Sequence, residues 1–297
     1  MTEQKTRHVP NYNLRFILLI TAALLCVLFS FTVGRFPVSP ADVIMVFATE
    51  IFKLDITWDF ATWSTVINIR LPRILAAFFV GAALATAGAA YQGMFQNPLV
   101  SPDILGASSG AGFGAALAIF MNLGPVWITA FAFAGAVICV GAAYVVSRLT
   151  KGSATLSMVL AGILVSSLFT AMTSFLKTVA DTEDQLPEIT YWLMGSLNGT
   201  SPKDVWFALV PMFLGLAPLF LLRWRINLLT LGDEEARTMG VNARRLRAAV
   251  ILSATLITAA AVAVSGVIGW VGLVVPHLTR RMVGDDYRRL LPCSMLF

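Results

Sequence analysis

Residues 104–147 read ILGASSGAGFGAALAIFMNLGPVWITAFAFAGAVICVGAAYVVS and contain no Asp, Glu, Lys or Arg. A membrane-spanning helix needs about 20 consecutive apolar residues, so this stretch is long enough for two. The sequence Asn122-Leu123-Gly124-Pro125 lies near its centre, where a turn lets the chain reverse. The stretch therefore predicts a membrane-embedded helical hairpin. It also decides the fold class, which is an all-α integral membrane protein.

The rest of the chain has the same character. Its 297 residues are 58% hydrophobic and 12% charged, with a mean hydropathy of +0.80. Other uncharged stretches of spanning length are residues 16–33, 74–96, 155–176, 205–222 and 248–279. Gly266, Gly269 and Pro276 interrupt the last stretch, which predicts one full helix and a shorter or broken one. Together these segments predict about eight crossings in a single transmembrane domain, residues 1–297.

Basic residues predict the orientation. If the N-terminal tail, residues 1–15, is cytoplasmic, most of the 21 Lys and Arg residues fall in cytoplasmic segments, including a loop at residues 223–247. This distribution follows the positive-inside rule. The net charge of +5 then reflects topology, and it implies no nucleic-acid partner.

The sequence contains neither of two features by which a transporter could supply its own energy. No predicted span carries an acidic residue at its middle, although ion-coupled carriers keep such costly charges for function. No G-x-x-x-x-G-K-[ST] phosphate loop occurs either, so the chain does not bind ATP by that motif. If the protein transports a solute, we expect the energy to come from a partner.

One motif favours a different class of function. Gly106-Ala107-Ser108-Ser109-Gly110 fits G-x-S-x-G and, together with His277, suggests an intramembrane serine hydrolase. That motif requires a strand, a sharp turn and a helix, whereas these small residues lead into a membrane helix and favour close helix packing. We keep the hydrolase as an alternative. We predict no catalytic residue and, because His277 has no second ligand near it in sequence, no metal site.

Four stretches share a recognisable order along the chain. They are RLPR at 70–73 with VGAAL at 80–84, QNPLVSP at 96–102 with LGASSGA at 105–111, LGDEEAR at 231–237 with MGV at 239–241, and GVIGWVGLVVPH at 266–277. In this order they resemble the FecCD-type permeases of iron-siderophore, haem and vitamin B12 ABC importers, which have the type II importer fold. Gln96 and Trp270 depart from the residues usual in that family, which leaves the substrate open.

The resemblance implies a non-enzymatic transport subunit in the bacterial cytoplasmic membrane. Its expected partners are a separate ATPase subunit that holds ATP and magnesium, a substrate-binding protein, and a second permease subunit, identical or similar. We expect no cofactor on the chain itself. The sequence WLMGSL at 192–197 resembles the siderophore branch, with haem or cobalamin as alternatives. The family has about ten spans, so the resemblance implies that the last two are missing beyond the short apolar run at 290–297.

The resemblance also gives the loop at 223–247 a role in coupling to the ATPase. The coupling residues would be Gly232, Asp233, Glu234, Glu235, Ala236, Met239, Gly240 and Val241. From the residues themselves we expect two short helices, one capped by Asp233 and ended by Gly240, the other capped by Asn242. An ordinary basic loop at the lipid headgroups is the alternative.

Two further groups of residues receive roles. Arg70 and Arg73 would dock the binding protein, or else extend towards lipid headgroups. Asn97, Pro98, Pro276 and His277 are placed to flank the pathway or its gate, because helix breakers at membrane depth require packed or cavity-facing backbone. For His277, a hydrogen-bonded packing role is the alternative.

Overall fold

The protein is described by a computed structural model covering residues 12–53, 59–150 and 154–297. Within these ranges all regular secondary structure is helical, which confirms the predicted fold class. The helices are α1 Tyr12–Thr32, α2 Pro40–Phe52, α3 Phe60–Ser64, α4 Leu71–Met94, α5 Ala107–Phe120, α6 Pro125–Leu149, α7 Ala154–Val179, α8 Gln185–Met194, α9 Pro202–Leu229, α10 Asp233–Thr238, α11 Ala243–Ser265, α12 Val271–Val283 and α13 Tyr287–Leu296. A π-helical turn, Thr65–Arg70, joins α3 to α4, and a 3₁₀ turn, Pro102–Leu105, precedes α5.

Six of the described helices are long and apolar enough to cross a membrane. They are α1, the continuous helix Phe60–Met94, α6, α7, α9 and α11. The other two predicted crossings correspond to α5 and α12, which have only 14 and 13 residues. The short α12 agrees with the expected broken helix. The prediction was wrong for α5, which is too short because its first turn starts inside the bundle.

Small residues let the central helices pack with their backbones close together. A Cβ atom on Gly110 of α5 would overlap the carbonyl oxygen of Gly135 on α6, and one on Gly114 would overlap that of Phe131. α4 is buried at every residue from Ala82 to Met94. In lipid, where apolar surface gains little from association, such close approach is a main source of helix–helix stability.

The predicted loop at 223–247 is shorter in the structure. α9 continues to Leu229, because Ile226 and Leu229 are fully buried and hold the last turns of the helix. Arg223 and Arg225 therefore lie on a helix. Residues 230–242 remain as the connection, with α10 at its centre.

The two short helices expected there are half confirmed. Gly232 rather than Asp233 occupies the N-cap position of α10, and Gly240 follows its end with φ +78°. Asn242 does cap the next helix, since its side chain accepts a hydrogen bond of 3.0 Å from the backbone N–H of Arg245. That helix is not short. It is α11, which continues into the bundle for 23 residues.

Contacts between distant segments define one end of the bundle, which we call the basic end. There Arg15 donates a hydrogen bond to the Met282 carbonyl, and the guanidinium of Arg289 stacks over the Tyr12 ring. Residues 1–11 of the predicted tail lie outside the described ranges. The apolar run at 290–297 belongs to α13, whose Leu290 and Leu291 are fully buried.

Candidate translocation pathway and coupling surface

The segment between α4 and α5 turns back into the helix bundle. A Cβ atom on Gly272 of α12 would overlap the ring of Pro102, and one on Gly162 of α7 would overlap the Ile104 carbonyl oxygen. Gly162 is eight residues into α7, about 12 Å from its start at 1.5 Å per residue. The 3₁₀ turn at 102–105 is therefore a re-entrant segment at membrane depth.

This segment places a carboxylate inside the bundle. Oδ1 of Asp103 accepts a 2.7 Å hydrogen bond from the Ser108 N–H, in the first turn of α5, where the helix dipole favours a negative charge. The Asp103 side chain remains exposed and lines two cavities of about 260 Å³ and about 550 Å³. Sequence reasoning missed Asp103, because it lies one residue before the uncharged stretch. An Asp following Pro and preceding a helix is nevertheless a recognised start signal.

The larger cavity is a groove with a polar wall. Asp103 shares it with Ser166, Ser167, Thr170 and Ser174, which are hydroxyl residues of α7. All but Ser166 are exposed. Ser and Thr on membrane-spanning helices are enriched where a helix packs against other protein. The hydroxyl face of α7 thus indicates a solvated path or a subunit contact.

The smaller cavity also contains an unpartnered polar group. Thr258 of α11 is 1% exposed, and its Oγ1 has no hydrogen-bond partner within the described ranges. Together with Asp103 and Ser108 it lines the 260 Å³ space. Since buried polar groups are normally paired, this space suits water or a polar ligand group.

Gln92 binds two backbone carbonyls near the predicted helix breakers. Its Nε2 donates to the carbonyls of Val100 and Leu273, both at 3.3 Å. Pro276, buried in α12, lacks the N–H that would bond the Gly272 carbonyl four residues earlier. That carbonyl lies against Gly88 of α4, so the freed backbone is packed in protein. Asn97 and Pro98, by contrast, have exposed side chains in the turn after α4.

A polar cluster joins four helices at the basic end. Arg280 of α12 donates to Gln92 Oε1 at 3.2 Å and to the Tyr287 hydroxyl at 3.3 Å, and its Nε lies 2.9 Å from Asp285 Oδ1. Burial raises the pKa of the Tyr287 hydroxyl, so it stays neutral and accepts this bond. Asn227 of α9 accepts from the Tyr287 N–H at 2.9 Å. We call Gln92, Arg280, Tyr287 and Asn227 the basic-end cluster.

Arg280→Met should destabilise the protein by about 1–3 kcal/mol, because Gln92 Oε1 loses a charged donor in a buried place. Arg281→Met is the matched control, since Arg281 is the exposed next residue of the same helix. The midpoint of thermal unfolding in detergent measures both variants. Equal shifts would show that the cluster contributes no stability.

The connection at 230–242 forms a small projecting surface. Ala236 is fully buried and Val241 packs against the core, which anchors α10. Glu234, Glu235 and Met239 are exposed. Gln96, at the end of α4, donates a 2.7 Å bond to the Leu229 carbonyl just before this surface. This hydrogen bond connects the end of α9, just before α10, with the turn that leads from α4 to the re-entrant segment.

The two arginines assigned to docking lie in different surroundings. Arg70 is 8% exposed, and its guanidinium donates to the carbonyls of Phe31 and Phe36. This buried guanidinium ties α1 to α4. Arg70 is therefore no longer a candidate for docking the binding protein. Arg73 is half-buried and donates a 2.9 Å bond to the Asn198 carbonyl, which leaves it as the remaining candidate.

The hydrolase constellation is absent from the described residues. Ser108 is buried at the start of α5, whereas the His277 ring is exposed on α12, and no hydrogen bond joins them. The packing role considered for His277 also lacks a hydrogen bond within the described ranges. Together with Val274, Leu278 and Arg281, His277 forms an exposed face of α12.

Comparison with known proteins gives four informative matches. The sequence profile of the FecCD transport family matches residues 21–297. A molybdate import permease from Haemophilus influenzae is 38% identical over 96% of this chain and 82% of its own length. A protein named as an iron chelatin transport permease, from Helicobacter pylori, is 41% identical over 78% of this chain and 70% of its own. A solved chain from an inward-facing ABC transporter assigned to the metal-chelate type superposes with a TM-score of 0.82 at 36% identity, covering 97% of this chain and 86% of that one.

Proposed function

We propose, because the chain belongs to the FecCD transport family, that it is the permease of an importer for a ferric chelate of the siderophore type. As an ABC importer permease it does no covalent chemistry, and it works with an ATPase and a substrate-binding protein. The cargo is the part that we propose. It is supported by the sequence at 192–197 and by the similarity to an iron chelatin permease.

The observation that carries the proposal is the hydroxyl face of α7 beside Asp103. A chelate that is too polar for lipid needs a continuous polar surface, and Ser166, Ser167, Thr170 and Ser174 follow one another along this helix. We propose that a second permease subunit faces this groove and that the pathway runs between the two. Pro276 and His277 would then flank the pathway from α12, with Asn97 and Pro98 at its basic end.

The basic end is proposed to face the cytoplasm. This orientation places the N-terminus inside the cell, in the cytoplasmic membrane, and follows from the positive-inside rule. α10, with exposed Glu234, Glu235 and Met239, would then meet the ATPase. Arg73, at the opposite end, would meet the binding protein. Charge pairs in such contacts favour correct encounter and register.

Uptake of a neutral ferric trihydroxamate tests the cargo. The chain is expressed with its own ATPase and binding protein in a permease-deletion strain, and radiolabelled hydroxamate, haemin, cobalamin and molybdate are compared. We expect hydroxamate uptake at least about tenfold above background, a difference of about 1.4 kcal/mol in the rate-limiting barrier. Uptake should vanish when the ATPase loses the lysine of its phosphate loop.

Each other outcome contradicts one part of the proposal. Uptake of another cargo in place of the hydroxamate would replace ferric siderophore as the substrate. Uptake that persists with the inactive ATPase would contradict ATP-driven import. The permease-free strain, carrying the same ATPase and binding protein, supplies the background.

A further inference from the structure

The groove on α7 is rich in hydrogen-bond acceptors. Ser166 donates its hydroxyl hydrogen to the Gly162 carbonyl at 2.6 Å, and Ser167 donates to the Ile163 carbonyl at 2.8 Å. Ser174 likewise donates to the Thr170 carbonyl at 3.0 Å. A hydroxyl has one hydrogen to donate, so these three present mainly oxygen lone pairs to the groove.

Asp103 adds a negative charge to the same groove. One oxygen accepts from Ser108, while the side chain remains exposed along the groove. No Lys or Arg occurs in residues 104–147 or 154–176, which form the helices around this site. An oxyanion placed there would meet a carboxylate and few donors, whereas a cation or a neutral donor would meet suitable oxygens.

We propose that Asp103 and the hydroxyl face of α7 form a charge filter, which excludes anionic cargo and admits neutral or cationic chelates. This inference rests on the proposed function, since it takes the groove as part of the pathway. It deepens that function by naming a substrate class. Neutral or cationic ferric chelates of the hydroxamate kind fit the filter, and molybdate or anionic ferric chelates do not. Specificity of this kind is often built from repulsion of the wrong ligand.

A purely structural role for Asp103 is testable separately. The carboxylate accepts a hydrogen bond from the Ser108 N–H in the first turn of α5, and the amide oxygen of Asn can accept the same bond. Asp103→Asn therefore keeps this acceptor and removes the charge. Loss of folding in this variant is not expected, and its recovery in membranes is compared with that of the unaltered protein.

Thiol labelling measures the charge directly, without any cargo. Thr170→Cys places a thiol on the exposed groove wall in a Cys26→Ser background, where the remaining cysteines, Cys139 and Cys293, are buried. Cationic and anionic methanethiosulfonates of similar size are compared in membranes containing the whole transporter. We expect Asp103→Asn to lower the cationic-to-anionic rate ratio by about tenfold, because Asp103 and Thr170 line the same groove.

A second thiol position supplies the control. Thr178 does not line the groove and lies about 12 Å beyond Thr170 along α7, at 1.5 Å per residue. This added distance exceeds a Debye length of about 8–10 Å. The labelling ratio of Thr178→Cys should change less than about twofold. An unchanged ratio at Thr170→Cys, or equal changes at both positions, would overturn the filter.

Transport supplies the second readout. In Asp103→Asn, uptake of an anionic ferric chelate relative to the neutral trihydroxamate should rise about tenfold. A changed labelling ratio with unchanged cargo preference would show that Asp103 sets the potential without selecting the cargo, and would overturn the filter. If the unaltered protein imports no ferric chelate, the proposed cargo fails, while labelling still decides whether the groove discriminates by charge.

Discussion

Gly88→Val is expected to abolish the accumulation of folded protein. A Cβ atom on Gly88 would lie 2.6 Å from the carbonyl carbon of Gly272 and would overlap its oxygen, so the backbones of α4 and α12 are in direct contact. Gly88 is surrounded by fully buried residues and α4 cannot move aside. Overpacking of this kind costs on the order of 3 kcal/mol or more where the obstacle is backbone. The yield of monodisperse protein extracted from membranes measures the effect.

Gly81→Val in the same helix is the matched control. Gly81 lies two turns earlier on nearly the same face, and a Cβ atom there would meet nothing within 4 Å. We expect its stability to stay within about 0.5 kcal/mol of the unaltered protein. Normal yield of Gly88→Val would contradict the close contact between α4 and α12.

Glu234→Lys combined with Glu235→Lys is expected to reduce ATP-dependent uptake by more than about tenfold. Both carboxylates are exposed in the first turn of α10, so the change should leave the core unaffected. The loss of favourable dipole interactions costs about 1 kcal/mol at most per residue. The larger effect comes from placing positive charge where we propose that the ATPase binds. Co-purification of the ATPase and uptake are measured together.

Glu188→Lys controls for charge reversal itself. Glu188 is an exposed acidic residue on α8, away from the basic end. This variant should bind the ATPase normally. The coupling assignment is refuted if the double variant retains both the ATPase and uptake, since α10 would then be an ordinary loop helix.

Features set by local sequence were predicted well. The turn at residues 122–125 separates α5 from α6, as the Gly-Pro pair indicates, and Asn122 has a left-handed backbone with φ +53°. Gly240 follows the end of α10 with a left-handed backbone, and Asn242 caps α11, both as expected. In each case a turn residue or a cap acts through its own backbone, so the neighbouring sequence contains the necessary information.

Features that depend on distant segments were not predictable in this way. The hydropathy pattern predicts that Asp103 lies at the edge of a loop. Its actual depth depends on the packing of Pro102 against Gly272, which is 170 residues later in the chain. Arg70 resembles an interfacial arginine in sequence, but the carbonyls that bind it come from residues 31 and 36. The basic-end cluster likewise joins residues from α4, α9, α12 and α13.

Asp103 lies deep enough in the membrane for a charge beside it to experience part of the transmembrane potential. Asp103 is about 12 Å from the basic end of a hydrocarbon layer that is about 30 Å thick. A cargo that enters from the opposite end has therefore crossed about 60% of the layer when it reaches Asp103. Each elementary charge crossing the full layer changes energy by about 2.3 kcal/mol per 100 mV. With the proposed orientation and an inside-negative potential, a monovalent cationic chelate gains about 1.4 kcal/mol per 100 mV on reaching Asp103. An anion loses as much, so the cell's own electric field acts in the same direction as the carboxylate.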